Sequence, residues 1–271
     1  MKIISFNING LRAHLHQIKA IIVKHNPDII ALQEIKVQND HFPFYEINKL
    51  GYHAFCHGQK AYYGVAFLSK EKPFLIKKDF SFDKENGQCR LITLTTYICQ
   101  KIFIIINAYF PQGENRSNEK KFFLKKIFYK KLYDYVVSLQ KTDIQLLIVG
   151  DMNVSHTDLD IGIGKINQNR WIKKGKCSFL PEEREWLTKL LNGCNLIDIY
   201  RVKNPNVNDS FSWFDYRSKA FQRNCGLRID LILSSKNLIK YCIEVGIDYE
   251  IRNIDRPSDH APIWVEFDFS K

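Results

Sequence analysis

Runs of aliphatic and β-branched residues recur along the chain and predict a series of strands. These runs cover residues 3–6, 28–32, 62–68, 88–98, 101–108, 146–149, 227–233 and 261–269. Apolar residues at helical spacing predict helices between them, over 11–22 and 122–139. A third helix is predicted over 181–193, where a proline and two acidic residues begin it and a glycine ends it. The alternation predicts an α/β protein with two mixed sheets packed face to face.

The chain gives no sign of division into separate parts. Its 271 residues contain no repeat, low-complexity segment or linker, so we expect residues 1–271 to form a single domain. No apolar run approaches the roughly 18 residues that a membrane helix needs. Seven cysteines without a CxxC pair predict free thiols and a cytoplasmic protein. No coiled-coil heptad is present, and a monomer is therefore expected.

The chain is strongly basic, with a formal net charge of +11 and a pI near 9.2. Such a charge favours a polyanionic partner. Lysine outnumbers arginine by 29 to 11, however, and isoleucine, asparagine, phenylalanine and tyrosine are also frequent. All of these residues have A/T-rich codons, so genomic composition explains the charge equally well. The charge alone therefore does not identify a nucleic-acid-binding protein.

Carboxylates and amides stand where the predicted strands begin or end. Asn7 follows the first strand, Glu34 the second, Asp151 and Asn153 follow a central strand, and Asp259 precedes the last one. Acidic residues rarely occupy such surroundings unless something pairs with them. Any single one could be an ordinary turn or cap residue, but together they favour a bound divalent cation. Mg²⁺ prefers oxygen ligands, whereas the chain lacks the His or Cys cluster typical of zinc sites.

His260 directly follows Asp259 and indicates a second role at the edge of the sheet where these strand-end side chains gather. Adjacent residues on a strand face opposite sides, so Asp230 from a neighbouring strand is the better partner to orient the imidazole. A metal can supply much of the rate acceleration that phosphate-ester hydrolysis requires. Asn153 and His260 would then stabilise charge on the non-bridging oxygens. Tyr109, just after a strand, could donate to the same phosphate. The pattern therefore predicts metal-assisted phosphate-ester hydrolysis.

The segment 211–219 interleaves aromatic and basic residues, with Trp213 and Phe214 near its centre. Enzymes that act on DNA use apolar wedges and stacking platforms to distort or grip the duplex. The segment predicts a DNA contact, and a loop that covers the core is the alternative.

Longer motifs resemble the exonuclease III family of abasic-site endonucleases, within the exonuclease–endonuclease–phosphatase superfamily. The resemblance extends nearly end to end, and the motifs follow one another in an order that is specific to the family. They occupy residues 5–12, 32–34, 57–60, 109–114, 150–153, 158–162, 176–181, 211–219, 226–230 and 257–262.

This resemblance implies a four-layer α/β sandwich, with two β-sheets face to face and helices outside. It also implies a DNA repair nuclease that depends on Mg²⁺ or, alternatively, Mn²⁺. Such an enzyme removes 3′ nucleotides from double-stranded DNA, clears 3′-blocking groups and cleaves on the 5′ side of abasic sites.

The resemblance further implies three sets of site residues. The metal set is Asn7, Glu34, Asp151, Asn153 and Asp259. The catalytic set is Tyr109, Asp151, Asn153, Asp230 and His260. The DNA-binding set is Arg90, Trp213, Phe214 and His260. Within these sets Glu34 holds the metal, Asp230 supports His260, and Asp151 either activates water or protonates the leaving group.

One position departs from the family pattern: Gln-Glu-Thr-Lys is common there, and this chain has Gln33-Glu34-Ile35-Lys36. The missing hydroxyl removes a hydrogen bond that could orient the metal-binding carboxylate. We expect a tuned rather than an abolished site.

Two other functions stay open at this level. A phosphoesterase of the same superfamily could act on a phospholipid or another small phosphate ester, although the segment 211–219 argues against it. A DNA-binding protein without activity is the second alternative, but it would not need Glu34 and Asp259 both intact.

Overall fold

Twelve strands form in the part of the chain that the computed structural model describes, residues 1–80, 87–139 and 144–270. They are β1 Lys2–Asn7, β2 Ile29–Gln33, β3 His53–His57, β4 Val65–Ser69, β5 Leu75–Lys78, β6 Leu91–Ile98, β7 Lys101–Tyr109, β8 Ile144–Asp151, β9 Leu196–Asp198, β10 Asp230–Ser235, β11 Cys242–Ile247 and β12 Ile263–Phe267. The first sheet has the order β11-β12-β1-β2-β4-β3, and the second has the order β5-β6-β7-β8-β10-β9.

Helices connect the strands and cover the outer faces of the sheets. They are α1 Leu11–His25, α2 Phe44–Lys49, α3 Glu119–Leu139, α4 Lys165–Lys173, α5 Pro181–Gly193, α6 Ile199–Lys203 and α7 Tyr249–Arg252. Short 3₁₀ turns occur at Asn39–His41, Asp158–Asp160, Tyr216–Ser218 and Lys236–Tyr241. None of the helices within the described ranges combines the length and the apolar character that crossing a membrane requires.

Strand β8 illustrates why the central strands are continuously apolar. Successive side chains of a strand face opposite sides, so Leu147 and Val149 pack between the sheets, while Leu146 and Ile148 pack beneath α3 and α5. Both faces are buried, and neither can be polar. A comparable cluster lies beneath α1 on the other outer face. The predicted α/β class and the four-layer sandwich are confirmed.

The elements that the apolar pattern does not predict are mostly at the borders of the sheets. Helix α5 matches the predicted range 181–193 at both ends. By contrast, β3, β5, β9 and β11 fall outside the predicted runs, and all four are edge strands. Edge strands are short and often carry polar residues, which removes the continuous apolar signal that reveals the central strands.

The predicted strand over 227–233 needs a correction. Strand β10 begins only at Asp230, so this carboxylate stands at a strand end and not inside a run. The residues before it are held in other ways: Leu227 pairs with Trp213. Buried Arg228 donates to Asp160 and Asp198, each at 2.7 Å. Asp230 therefore lies opposite Asp151, the last residue of β8.

A buried hydrogen-bond cluster joins the two sheets. Asn107, on β7 of the second sheet, donates from Nδ2 to the carbonyl oxygens of Leu32 on β2 and Ala66 on β4, at 3.0 and 2.9 Å. Its Oδ1 accepts from Gln33 Nε2 at 2.8 Å, and the same nitrogen donates to Ser5 Oγ at 3.1 Å. We call these residues the Asn107 cluster. It fixes how β7 lies across β2 and β4.

Replacing Asn107 with leucine should lower the free energy of unfolding. The substitution Asn107→Leu removes one acceptor of the Gln33 amide and the donor to the carbonyls of Leu32 and Ala66, and leaving such buried groups unsatisfied typically costs about 1–3 kcal/mol. Chemical denaturation measures the change. The same substitution at exposed Asn208 is the control and should change the value by less than about 0.5 kcal/mol. Equal effects at both positions would contradict the structural role of the cluster.

Asp160 should make stability depend on acidic pH. Burial favours its neutral form, but Arg228 and Arg201 outweigh this and lower the pKa of Asp160 to about 2, below the value of about 3.9 in unfolded chains. The stabilisation is thus fully present above about pH 4 and is lost as the pH falls towards 2. We expect Asp160→Asn to be destabilised by about 3–5 kcal/mol at pH 7, with a smaller difference from the wild type near pH 2.

The measurement is denaturation of wild type and Asp160→Asn across this pH range. Asp255→Asn removes a carboxylate that is exposed beside Arg256, and it should follow the wild-type curve. A difference between Asp160→Asn and wild type that does not change with pH would contradict the assignment.

Candidate active site

Polar side chains from both sheets meet at one edge of the sandwich. Tyr109, Asp151 and Asp230 stand in one row across β7, β8 and β10, because Asp151 is the register partner of both of the others. Asn7 ends β1 of the first sheet, and Glu34 directly follows the parallel strand β2. The site therefore spans the two sheets at the level where the Asn107 cluster joins them.

Asn7 links a carboxylate of each sheet. Its Nδ2 donates to Glu34 Oε1 at 2.9 Å and to Asp151 Oδ2 at 3.0 Å. Its Oδ1 accepts from the backbone N–H of Asn9 at 3.1 Å. The amide thus turns its nitrogen, not its oxygen, towards the carboxylates. In this arrangement Asn7, an expected metal ligand, holds the two carboxylates together.

His260 lies between Asp230 and Asp151. Its Nδ1 is 2.8 Å from Asp230 Oδ2, and its Nε2 is 3.9 Å from Asp151 Oδ2. The backbone N–H of Asp230 donates to Ser212 Oγ at 3.0 Å, which fixes the start of β10. The structure thus brings Asp230 and His260 together, and the second ring nitrogen faces Asp151.

The charges at the site are set by burial and by neighbouring carboxylates. Burial, followed by Asp230 and Glu34, raises the pKa of Asp151 to about 7. Burial opposes protonation of His260, but Asp230, Asp259 and Asp151 outweigh it and raise the pKa of His260 to about 10. Burial likewise opposes ionisation of Glu34, yet Lys36 and Asn7 lower its pKa. The surrounding carboxylates therefore favour the protonated form of His260, and Lys36 and Asn7 favour the ionised form of Glu34.

The donor set suits a divalent cation. Oxygens of Glu34 and Asp151 and a nitrogen of His260 lie within 4.8 Å of one another. A protonated imidazole cannot bind a cation, which leaves the two carboxylates as ligands. Oxygen donors match Mg²⁺ or Mn²⁺, and burial of Asp151 beside Asp230 and Glu34, which raises its pKa, disfavours a charged form that a cation would stabilise. The residues therefore fit such an ion.

Asp259, another expected metal ligand, lies outside that group. Its two oxygens accept hydrogen bonds from Asn9 Nδ2 at 2.8 Å and from the indole Nε1 of Trp213 at 2.9 Å. Asn9 accepts a hydrogen bond from Lys36, whose Nζ pairs with Glu34 Oε2 at 3.0 Å. Asp259 is thus connected to Glu34 through two side chains that the sequence reasoning misses.

The backbone on either side of Ile35 has an unusual conformation, and Ile35 itself is buried. Glu34 and Lys36 both have a φ of 51°, which turns their side chains towards the site. Ile35 between them is buried in the hydrophobic cluster beneath α1. Its side chain therefore packs in the core. Only the polar character of the segments around Asn7 and Glu34 could have signalled Asn9 and Lys36.

Arg90 packs against the ring of Tyr109 and binds its backbone carbonyl. Its guanidinium lies 3.9 Å from the ring centre of Tyr63 and 4.7 Å from that of Tyr109. It also donates to the carbonyl of Tyr109 at 3.1 Å and to Gln88 at 2.6 Å. With only 7% of its surface exposed, Arg90 is held mainly by protein groups. Burial, together with Glu34 and Asp151, raises the pKa of Tyr109 far above its usual range, so its hydroxyl stays protonated.

Asn153 is held by the Asp151 carboxylate and by the backbone carbonyl of Phe110. Its N–H donates to Asp151 Oδ1 and its Nδ2 to the carbonyl of Phe110, both at 2.9 Å. Its φ of 53° is unusual for a residue with a side chain. The conformation fixes the direction of the Asp151 carboxylate.

The segment 211–219 has a buried part and a more exposed part. Phe214 is 0% exposed and packs against Phe221 and Tyr249. The predicted DNA contact of Phe214 is therefore corrected, because its ring belongs to the core. Trp213 is partly exposed and bound to Asp259, and the side chain of Arg217 is exposed.

Comparisons with known proteins agree with this geometry. Residues 4–260 match the endonuclease/exonuclease/phosphatase family. Exodeoxyribonuclease III of Haemophilus influenzae is 53% identical over 267 residues, covering 98% of this chain and 100% of that protein. A solved structure described as the 3′ phosphatase NExo from Neisseria bound to product DNA hairpin has a TM-score of 0.90 at 33% identity, covering 99% of this chain and 100% of that one. An AP endonuclease from Archaeoglobus fulgidus has a TM-score of 0.89 at 30% identity and 99% coverage of both chains. The chain belongs to the endonuclease/exonuclease/phosphatase family.

Proposed function

We propose that this protein is a divalent-metal-dependent DNA repair nuclease that hydrolyses phosphodiesters in duplex DNA. Its activities are 3′-to-5′ exonuclease, 3′-end-cleaning phosphodiesterase or phosphatase, and cleavage at abasic sites. The observation that carries the proposal is the position of Asp151, which lies between the Glu34–Asn7 pair and the Asp230–His260 pair. In this proposal the metal lies on the Glu34 side of one phosphate, and the imidazole lies on the other side.

The names of the similar proteins support the DNA substrate. The relatives are called an exodeoxyribonuclease III and an AP endonuclease, and the Neisseria protein is described as a 3′ phosphatase bound to a DNA hairpin. All three names describe hydrolysis of phosphate esters in DNA. The basic charge of +11 is compatible with such a partner.

Each site residue has a chemical task in this proposal. A Mg²⁺ or Mn²⁺ ion held by Glu34 and Asp151 would stabilise charge on the phosphoryl oxygen. Protonated His260, oriented by Asp230, donates a hydrogen bond to a non-bridging oxygen. The hydroxyl of Tyr109 donates a hydrogen bond to the same phosphate. Its burial and the neighbouring carboxylates keep that proton in place.

Asp151 handles the transferred proton. Its carboxylate can take a proton from the attacking water, and the resulting acid form can protonate the leaving oxygen. The hydrogen bond from Asn153 fixes the carboxylate for either step. Asp259 and Asn153 complete the metal side as more distant ligands or supports.

The DNA contacts are also part of the proposal. Trp213 lines the pocket for an abasic sugar, because its indole edge is tied to Asp259 and part of the ring is exposed. Arg90 acts on DNA through Tyr109, which it supports. One domain over 1–271, a monomeric state and a cytoplasmic location accompany this function. The seven free cysteines agree with a reducing compartment.

The protein with Mg²⁺ should nick a duplex that carries an abasic-site analogue, on the 5′ side of the analogue, and EDTA should abolish the reaction. Asp151→Asn should lower kcat by about 10²–10⁴-fold, because an amide cannot exchange the proton. Single-turnover and steady-state assays on labelled duplex measure both effects.

Asp134→Asn is the matched control, since it removes only an exposed carboxylate paired with Lys130 on α3, and its activity should equal that of wild type. Robust activity of Asp151→Asn would overturn the site assignment. Hydrolysis of inositol phosphates with none of DNA, or metal-independent DNA binding without turnover, would overturn the proposed function.

A further inference from the structure

A completely buried ion pair lies beneath the active-site loops. Lys125 on α3 and Glu183 on α5 are both 0% exposed, with Nζ 2.5 Å from Oε1. Removing two charges from water is expensive, and apolar residues of similar volume often stabilise a protein at least as well. Stability alone therefore gives a weak reason for this pair among the apolar residues of α3 and α5.

The ammonium group of Lys125 reaches two loops that carry site residues. It donates to the carbonyl oxygen of Asn153 at 2.8 Å and to that of Gln112 at 3.2 Å. Together with Glu183, these oxygens use all three of its N–H groups. Gln112 follows Tyr109 by three positions, and Asn153 follows Asp151 by two. One side chain thus joins the ends of β7 and β8.

The carboxylate of Glu183 holds a third loop to the same point. Its Oε2 accepts the backbone N–H groups of Ser178 and Leu180, both at 2.8 Å. The carbonyl of Ser178 in turn accepts the N–H of Ser155, at 2.7 Å. Asn153 and Ser178 have φ values of 53° and 112°, conformations that persist only when surrounding contacts hold them.

We propose that Lys125 and Glu183 form a positioning pair for the reaction. The inference rests on the proposed function. The pair touches no substrate and acts through Asn153, whose N–H fixes the Asp151 carboxylate. A neutral apolar pair could fill the same volume, but it could not bind the carbonyls of Gln112 and Asn153. Loss of the Lys125–Glu183 pair should therefore misplace Asp151 and Tyr109, while the residues that contact DNA stay in place.

The test is the double variant Lys125→Met/Glu183→Gln, which removes both charges together and leaves no single buried charge. Steady-state kinetics on an abasic duplex should give a kcat lower by about 10–100-fold, as expected for a small displacement of reacting groups. KM should stay close to that of wild type, because the lost interaction acts on the transition state.

Two variants of α3 separate positioning from stability. Leu132→Ala removes a buried apolar side chain of the same helix, which offers no hydrogen bond to the loop carbonyls, and it should lower the melting temperature but keep the wild-type kcat. Lys130→Met repeats the lysine substitution at an exposed position and should leave both unchanged. A purely structural pair predicts that the double variant behaves like Leu132→Ala.

Every outcome bears on the inference. Wild-type kcat in the folded double variant overturns the positioning role while the proposed function stands. If the double variant does not fold, Glu183→Asp, which keeps both charges but withdraws the carboxylate by one methylene, should show the kcat loss, and an unchanged kcat there overturns the role equally. An inactive wild-type protein would defeat the proposed function first and the positioning role with it.

Discussion

The hydrogen bonds of Asn107 between the two sheets are the constraint on which the site depends. They join β7 of one sheet to β2 and β4 of the other through three contacts of 2.8–3.0 Å. Tyr109 lies two residues further along β7, and Glu34 directly follows Gln33, which donates to Asn107. A buried polar cluster has strict geometric requirements, so it fixes the register of the sheets. The distance between the Glu34 side and the Tyr109 side of the site follows from that register.

Once the sheets are held in this way, acidic side chains from both are forced close together. The repulsion between these carboxylates is reduced because each of them has different partners. Lys36 and Asn7 stabilise ionised Glu34, His260 pairs with Asp230, and Asp151 is left with a raised pKa. The carboxylates therefore do not form one cluster. In our proposal they form a metal side and an imidazole side, with Asp151 between them.

The strand-end pattern predicts much of this arrangement. Central strands are recognisable as continuous apolar runs because both of their faces are buried. A carboxylate directly after such a run, as at Glu34 or Asp151, therefore stands out. The Asp230–His260 contact follows from strand alternation. Other features depend on contacts far apart in sequence: Arg90 lies between Tyr63 and Tyr109. Similarly, Phe214 is an aromatic residue beside Trp213, for which we propose a DNA contact, yet the Phe214 ring packs in the core, and sequence spacing cannot distinguish the two environments. Lys125 in the apolar face of α3 gives no signal until Glu183 is placed opposite it.

The central claim is that the metal and the imidazole occupy opposite sides of the scissile phosphate. The most direct measurement is an anomalous difference map from crystals of the protein soaked in Mn²⁺. The account predicts a peak within about 2.3 Å of a Glu34 carboxylate oxygen, with the Asp230–His260 hydrogen bond retained. A peak bound to Asp230 or to a ring nitrogen of His260 would contradict it.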